Sequence, residues 1–227
     1  GETMAQGAYQ GELRVALAHH MDDRAESILM HLGRGTGLGG LVGIRYREGP
    51  FIRPLLDLRR KTILEAARAA GLVWREDASN LSDDFLRNRI RNHLIPVWQD
   101  CLGYDPLPAL IRMSHLAQAD QEALASLAAS ALKKASLPDK SLALADLEAL
   151  PPALAGRVLQ LWYAAWLGKE GINPLTASQV DRILTLTASL TRGDKKQASL
   201  SLPGGLTARL AHGRLWLEGL QENDEPN

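Results

Sequence analysis

One cysteine, Cys101, occurs in 227 residues, and that scarcity removes whole classes of chemistry. An internal disulfide, a paired-cysteine metal site and a two-cysteine sulfur-transfer centre are all excluded. A lone thiol suits a reducing cytosol, so a cytoplasmic location is expected. Net charge is missing as well: 26 Lys and Arg balance 26 Asp and Glu, so no global field advertises a nucleic-acid partner. No apolar run approaches the roughly 18 residues of a membrane span, and no membrane partner is expected. The opening GETMAQGAYQGEL lacks the basic-then-apolar pattern of a signal peptide. It also lacks an evident first structural element, as expected of a fragment or of a chain with segments missing.

The charge balance is uneven along the chain. Seven basic residues fall between Arg34 and Lys61 against Glu48 and Asp57, and the tail from Gln221 to Asn227 is acidic. A neutral total can therefore hide a basic face suited to phosphate.

Periodicity divides the chain into an α/β part up to about residue 100 and a helical part, 101–227, closed by a small antiparallel sheet. Arg14 to Ala18 reads as a short buried strand. Asp22 to Gly33 reads as a helix, with Ala25, Ile28, Leu29 and Leu32 on one face. Six glycines between positions 33 and 43 stop it. Further helices are expected over Leu58 to Ala70, ended by Gly71, and over Ser82 to Val97, with Leu86, Ile90 and Leu94 buried and Pro96 near the end. Pro106 and Pro108 mark a junction. Beyond them, Leu124 to Ala131 and Leu154 to Ala165 repeat at helical spacing, and Thr176 to Gln179 has capping-box spacing. Alternation over residues 200–217, with turns at Gly204-Gly205 and His212-Gly213, predicts a three-stranded meander.

Chemistry concentrates in VALAHHMDDRAESILMHLGRGTGLGGL, residues 15–41. His19 and His20 stand at the mouth of a strand, and Asp22, Asp23 and Glu26 open a helix, where ligands of open α/β sheets sit. Such a cluster can bind an ammonium group, hold Mg²⁺ (Asp22 being one ligand candidate) or move protons. Asp23-x-x-Glu26 equally has the spacing of a capping box, although a cap leaves the histidines and Asp22 unexplained. The loop GRGTGLGGLVG, with Arg34, can approach phosphate or serve as a flexible linker; it is neither a Walker A loop nor a dinucleotide fingerprint. In DDFLRNRIRN, Arg87 and Arg91 are i, i+4, with Asn88 and Arg89 between them. These residues can clamp phosphate or an RNA backbone, or form a solvated face paired with Asp83 and Asp84. Trp162, Tyr163 and Trp166, at helical spacing, read more simply as core than as a base-stacking platform.

Together these motifs resemble the tRNA(Ile)-lysidine synthetase family of PP-loop ATPases. The resemblance is carried by ALAHHMDDRAE (16–26), RGTGLGGL (34–41), RPLL (53–56), the run with Trp74, Asp77, Ser79 and Asn80, and RNRIR (87–91). LPPALAGRVLQLW (150–162) and the terminal LPGG…R…G.LWL pattern extend it downstream. It implies a partial PP-loop fold, adenine-nucleotide-hydrolase-like with a parallel sheet. A mostly helical domain that binds tRNA and ends in the meander follows. The family's SGGxDS loop, expected upstream of the AHHxDD segment, is not in this sequence. The segment that usually precedes the strand leaves only Tyr9 as a trace. The resemblance therefore implies a chain inactive, or nearly so, by itself.

The implied reaction uses ATP and Mg²⁺. The wobble cytidine of an isoleucine tRNA with a CAU anticodon is adenylated at its C2 oxygen. L-lysine then attacks C2, giving lysidine and AMP. On that resemblance His19, Asp23 and Glu26 are catalytic, and Asp23, Glu26 and His20 bind lysine. Arg34, Arg87, Asn88, Arg89 and Arg91 face phosphate or tRNA, and a homodimer follows by analogy. The rival readings are another PP-loop enzyme of tRNA modification, a metal-dependent phosphohydrolase, and an RNA-binding module without catalysis.

Overall fold

The strand expected over Arg14 to Ala18 is ordered as β1 (Val15–Ala16) and pairs in parallel with β3 (Phe51–Ile52). A computed structural model of the chain describes residues 13–75, 82–167 and 175–219. Tyr9, Asp77, Ser79, Asn80 and the acidic tail lie outside them. The expected burial of β1 is corrected: Val15 is 41% exposed and its partner Phe51 40%. β1 bonds only to β3 among the described residues, so pairing without a covering layer leaves the run open. β2 (Arg47–Glu48) completes this sheet, antiparallel to β3.

Between β1 and β3 the chain makes α1 (Met21–Gly33) and the short α2 (Leu38–Leu41). Ala25 and Ile28 are fully buried, whereas Leu32 at the helix end is 46% exposed. Then come α3 (Arg60–Ala69), with Gly71 in the left-handed conformation just beyond it, and α4 (Leu86–Arg89).

The helix expected to end at Pro96 does not end there. A wide π turn over Ile90–Leu94 links α4 to α5 (Ile95–Leu102), which stops at left-handed Gly103. In the π turn the Ile95 N–H donates to the Ile90 carbonyl, five residues back. Proline has no N–H, and its ring would strike the carbonyl four residues earlier in an α-helix. Widening the preceding turn removes that conflict. The wide turn also rotates the faces: Ile90 and Ile95 are buried, while Leu86 and Leu94 are 41% and 48% exposed. The expected buried stripe is therefore split, and Arg87 and Arg91 turn toward α1.

Pro106 and Pro108 open α6 (Leu107–Ala135), with the Leu107 N–H donating to the Asp105 carboxylate. The chain divides into compact units at residues 1–121 and 122–227, so α6 contributes to both. In the first unit Leu107, Leu110 and Ile111 pack with Ala25, Ile28, Ile90 and Ile95.

The second unit has β4 (Leu142–Ala143), α7 (Leu144–Glu148), α8 (Pro152–Leu167) and α9 (Ala177–Thr191). The Thr176–Gln179 capping box forms as expected. β5 (Gln197–Leu202), β6 (Leu206–Ala211) and β7 (Arg214–Glu218) make the meander. A fourth strand joins them, in the order β4-β7-β6-β5; at two residues β4 is too short to leave a sequence pattern. Trp162 and Tyr163 are buried in this core, as read from the sequence, whereas Trp166 is 39% exposed.

Candidate active site

His19, Asp22 and Glu26 at the start of α1 are held by partners far away in sequence, and His20 by its near neighbour Asp23. The N-cap of α1 is His20, whose Nδ1 accepts from the Asp23 N–H while the Asp23 carboxylate accepts from the His20 N–H. The capping box is thus His20–Asp23, not Asp23–Glu26, because the helix starts one residue earlier than its acidic run suggests. Glu26 has no exposed surface. Its Oε2 accepts from Arg87 Nε at 2.8 Å, and its Oε1 from Arg91 Nε at 2.6 Å. Arg91 Nη2 spans Glu26 Oε2 at 3.0 Å and Asp23 Oδ1 at 3.3 Å. The hydrogen bond to Glu26 raises Arg91 above the usual guanidinium value despite its burial, with Glu26, Asp23 and Asp22 adding charge attraction.

This is where Arg87 and Arg91 differ from their sequence reading. They form neither a solvated face nor, in this arrangement, a free phosphate clamp: they close over two carboxylates of α1. Asp83 and Asp84 do not pair them; Asp83 holds Asn92 and His93. Asn88, also read as a phosphate or RNA contact, is buried and donates to the Ser82 carbonyl at 2.6 Å. Arg89 is exposed on the other side of the helix. Arg34 caps the far end of α1, so eleven residues, roughly 16 Å along the axis, separate it from Asp23.

Asp22 accepts from Arg59 Nε at 3.1 Å and from the Arg60 N–H at 2.8 Å, and Arg59 also bonds Asp105. Asp22 thereby caps α3, with a donor on each of its oxygens. No group of three or more His, Cys, Asp or Glu able to hold a metal occurs among the described residues. The Asp22–Arg59 pair thus sits beside Asp23 and Glu26 with Arg87 and Arg91, His20 Nδ1 lying 3.7 Å from Asp22 and 3.4 Å from Asp23. Beside them lies a depression of about 440 Å³, whose wall adds Arg60, Lys61 and Arg68.

His19 has a different environment. Arg53, from RPLL, is buried; its Nε donates to His19 Nδ1 at 3.3 Å, and its other nitrogens reach the Arg45 carbonyl and Glu48. Nδ1 is therefore an acceptor, and the ring proton belongs on Nε2. Burial lowers the His19 pKa, the charges of Arg53, Arg87 and His20 lower it further, and Asp23 opposes them. The folded protein thus resists protonating this ring. Its stabilising effect is complete above the ordinary value of 6.5 and is lost as pH falls through 6.5 toward the lower folded value. The stability of the first unit should accordingly drop between pH 7 and pH 5, and by less in His19→Asn. Parallel pH profiles for the two proteins in chemical denaturation would contradict this assignment.

Sequence reasoning missed Arg24, which is wholly buried. It donates to the Val42 carbonyl and Gln118, contacts His115 Nε2 at 2.8 Å and lies over the Tyr46 ring. Burial and a hydrogen bond to Asp57 push the Tyr46 phenol up to about 12. Ser114 Oγ also donates to the Val42 carbonyl, and His31 Nδ1 meets the Gly40 carbonyl at 3.0 Å. The glycine loop is therefore pinned. At Gly43, with φ of 63°, a Cβ would approach Ile28 to 2.8 Å, so the glycine is required for packing. The clue in the sequence was a charged residue one position from the buried Ala25.

The PP-loop domain family matches residues 3–98, and the TilS substrate binding domain family matches residues 142–216. The tRNA(Ile)-lysidine synthase of Mycobacterium tuberculosis (strain ATCC 25618 / H37Rv) is 36% identical over 174 residues, 75% of this chain and 54% of that protein. The protein of the same name from Salinispora arenicola is 34% identical over 209 residues, covering 90% and 61%. That of Chlorobaculum tepidum is 41% identical over 114 residues, covering 50% and 34%. The chain spans about half the length of the first of these relatives.

Proposed function

We infer, on the premise that this chain belongs to the tRNA(Ile)-lysidine synthase family of PP-loop proteins, that it carries the lysine-facing part of an ATP-dependent tRNA-modifying ligase. The observation that carries this reading is the convergence of distant motifs. AHHMDDRAE, the Arg59–Arg60 pair and RNRIR meet in ion pairs at the start of α1, and Arg53 of RPLL hydrogen-bonds the adjacent His19.

The reaction is adenylation of the wobble cytidine of a CAU-anticodon tRNA at its C2 oxygen. Attack by the lysine amine follows, with loss of AMP; pyrophosphate leaves in the first step. ATP is the co-substrate and Mg²⁺ its companion ion, with Asp22 a candidate ligand. Asp23 keeps about one-eighth of its side chain exposed (12%) and is the carboxylate proposed to meet a lysine ammonium group. Glu26 has no access and acts through Arg87 and Arg91, fixing their guanidiniums and, through Arg91, Asp23. His20 caps the helix and so orients Asp23. His19, neutral with its proton on Nε2, is a hydrogen-bond donor to an oxygen that gains negative charge, rather than a ready base. Arg34 and Arg89, exposed and apart from this cluster, are left for RNA phosphates.

The test is incorporation of radiolabelled lysine into a CAU-anticodon isoleucine tRNA by the protein in its full natural length. Label should enter only with ATP, one AMP appearing per lysine. No incorporation, or transfer of sulfur in its place, would move the chain to another branch of tRNA-modifying PP-loop enzymes.

A further inference from the structure

In the second unit a depression of about 510 Å³ is lined by Trp166 and Trp216 together with Lys140, His212 and Arg214. Lys140 (φ 65°) and His212 (φ 50°) are the two non-glycine residues with left-handed backbone among the described residues, and both border this one depression. Such conformations persist where the surroundings over-determine them, and they cluster at ligand sites. Here the surroundings are visible. The buried Trp162 indole donates to the Lys140 carbonyl at 2.8 Å. The turn is closed by Leu137 and Ser141 at 2.8 Å, and Asp139 holds Ser141 from within and Arg214 from β7. His212 and Gly213 form the tight turn between β6 and β7.

The two indoles are partly exposed, and Trp216 is braced. Its Nε1–H donates to Glu218 at 3.0 Å, and Glu218 accepts from Arg209, the cross-strand partner of Trp216. With the N–H satisfied, the ring offers its π surface rather than a donor. Trp216 also lines a second depression of about 380 Å³, which includes Arg209 and Ser199, so the two hollows share one aromatic wall. Planar π surfaces flanked by cations match an unstacked base with its phosphate.

We propose that this face of the four-stranded sheet is a stacking site for single-stranded nucleotides of RNA, with Trp166 and Trp216 holding bases and Lys140 and Arg214 holding phosphate. The site deepens the tRNA reading given above and rests on it.

Equilibrium binding of isoleucine tRNA to the full-length protein, at one fixed salt concentration, tests the site. Loss of one base stack corresponds to about a tenfold weaker affinity, expected for Trp216→Ala and for Trp166→Ala. Trp216→Phe, which keeps an aromatic face, should stay within about threefold of wild type and guards against a folding artefact. Arg214→Ala should weaken binding and reduce the slope of log affinity against log salt by about one. Ultraviolet crosslinking should place a nucleotide on a peptide bearing Trp166 or Trp216. Unchanged affinity in both alanine variants, or crosslinks confined to other peptides, overturns the site while wild-type tRNA binding and lysine incorporation stand. Failure of the wild type to bind tRNA overturns both readings, and the wild-type measurement alone reveals that case.

Discussion

Glu26→Ala should destabilise the first unit by about 3 kcal/mol, near the lower bound for breaking a buried ion pair by removing one partner. Glu26 is fully buried, yet the side chains of Arg87 and Arg91 remain 35% and 26% exposed, so water recovers part of the lost interaction. The expected readout is a fall of roughly 10 °C in the first transition on heating the full-length protein. Glu26→Gln, which keeps an acceptor but not the charge, should lose less. The double variant Glu26→Ala, Arg91→Ala should fall short of the sum of the singles, because each single leaves an uncompensated charge and the double removes both. An additive double variant, or an unmoved transition in Glu26→Ala, would show that the arginines find other partners and that the network does not hold α4 against α1.

The second large effect is kinetic. Asp23→Asn should cut lysine incorporation by about 10²–10³-fold, since it removes the negative charge proposed to bind the amine while leaving oxygen and nitrogen of the same size. The asparagine oxygen can still accept the His20 N–H, so the α1 cap survives. Asp83→Asn is the comparison: that carboxylate is exposed and bonds Asn92 and His93. Equal rates in the two variants would remove Asp23 from the reaction. A loss in Asp23→Asn that raw lysine concentration restores would place its role in binding the amine, whereas an unrecoverable loss would place it in orientation for attack.

Residues with local causes were legible in the sequence, and those with distant causes were not. α1 and α9 follow from their own apolar spacing, α9 also from its Thr176–Gln179 cap, and the β5–β7 meander from alternation interrupted by Gly204-Gly205 and His212-Gly213. His19, His20, Asp22, Asp23 and Glu26 could be recognised as a cluster because they are neighbours in the chain. Their individual duties could not, since each is set by a partner elsewhere: Arg53 for His19, Arg59 for Asp22, and Arg87 with Arg91 for Glu26. Arg24 is the extreme case. Beside a cluster of titratable groups a guanidinium invites a substrate role, and only Val42, His115 and Gln118 reveal that it is an internal fastener. The arginines of RNRIR read as a phosphate clamp or a solvated face because their carboxylate partner, Glu26, lies on a distant helix.

The wide turn between Ile90 and Leu94 stores one surplus residue in an otherwise continuous rod. The surplus sets the phase between the end that presents Arg87 and Arg91 and the end that presents Ile95 to the apolar neighbours from α6. Deleting a single residue there would restore ordinary winding and turn one end by about 100° relative to the other. The rod would persist by any measure of helix content, yet guanidiniums and apolar anchor could no longer be engaged together. Sequence length at this turn is thus a timing device for the site.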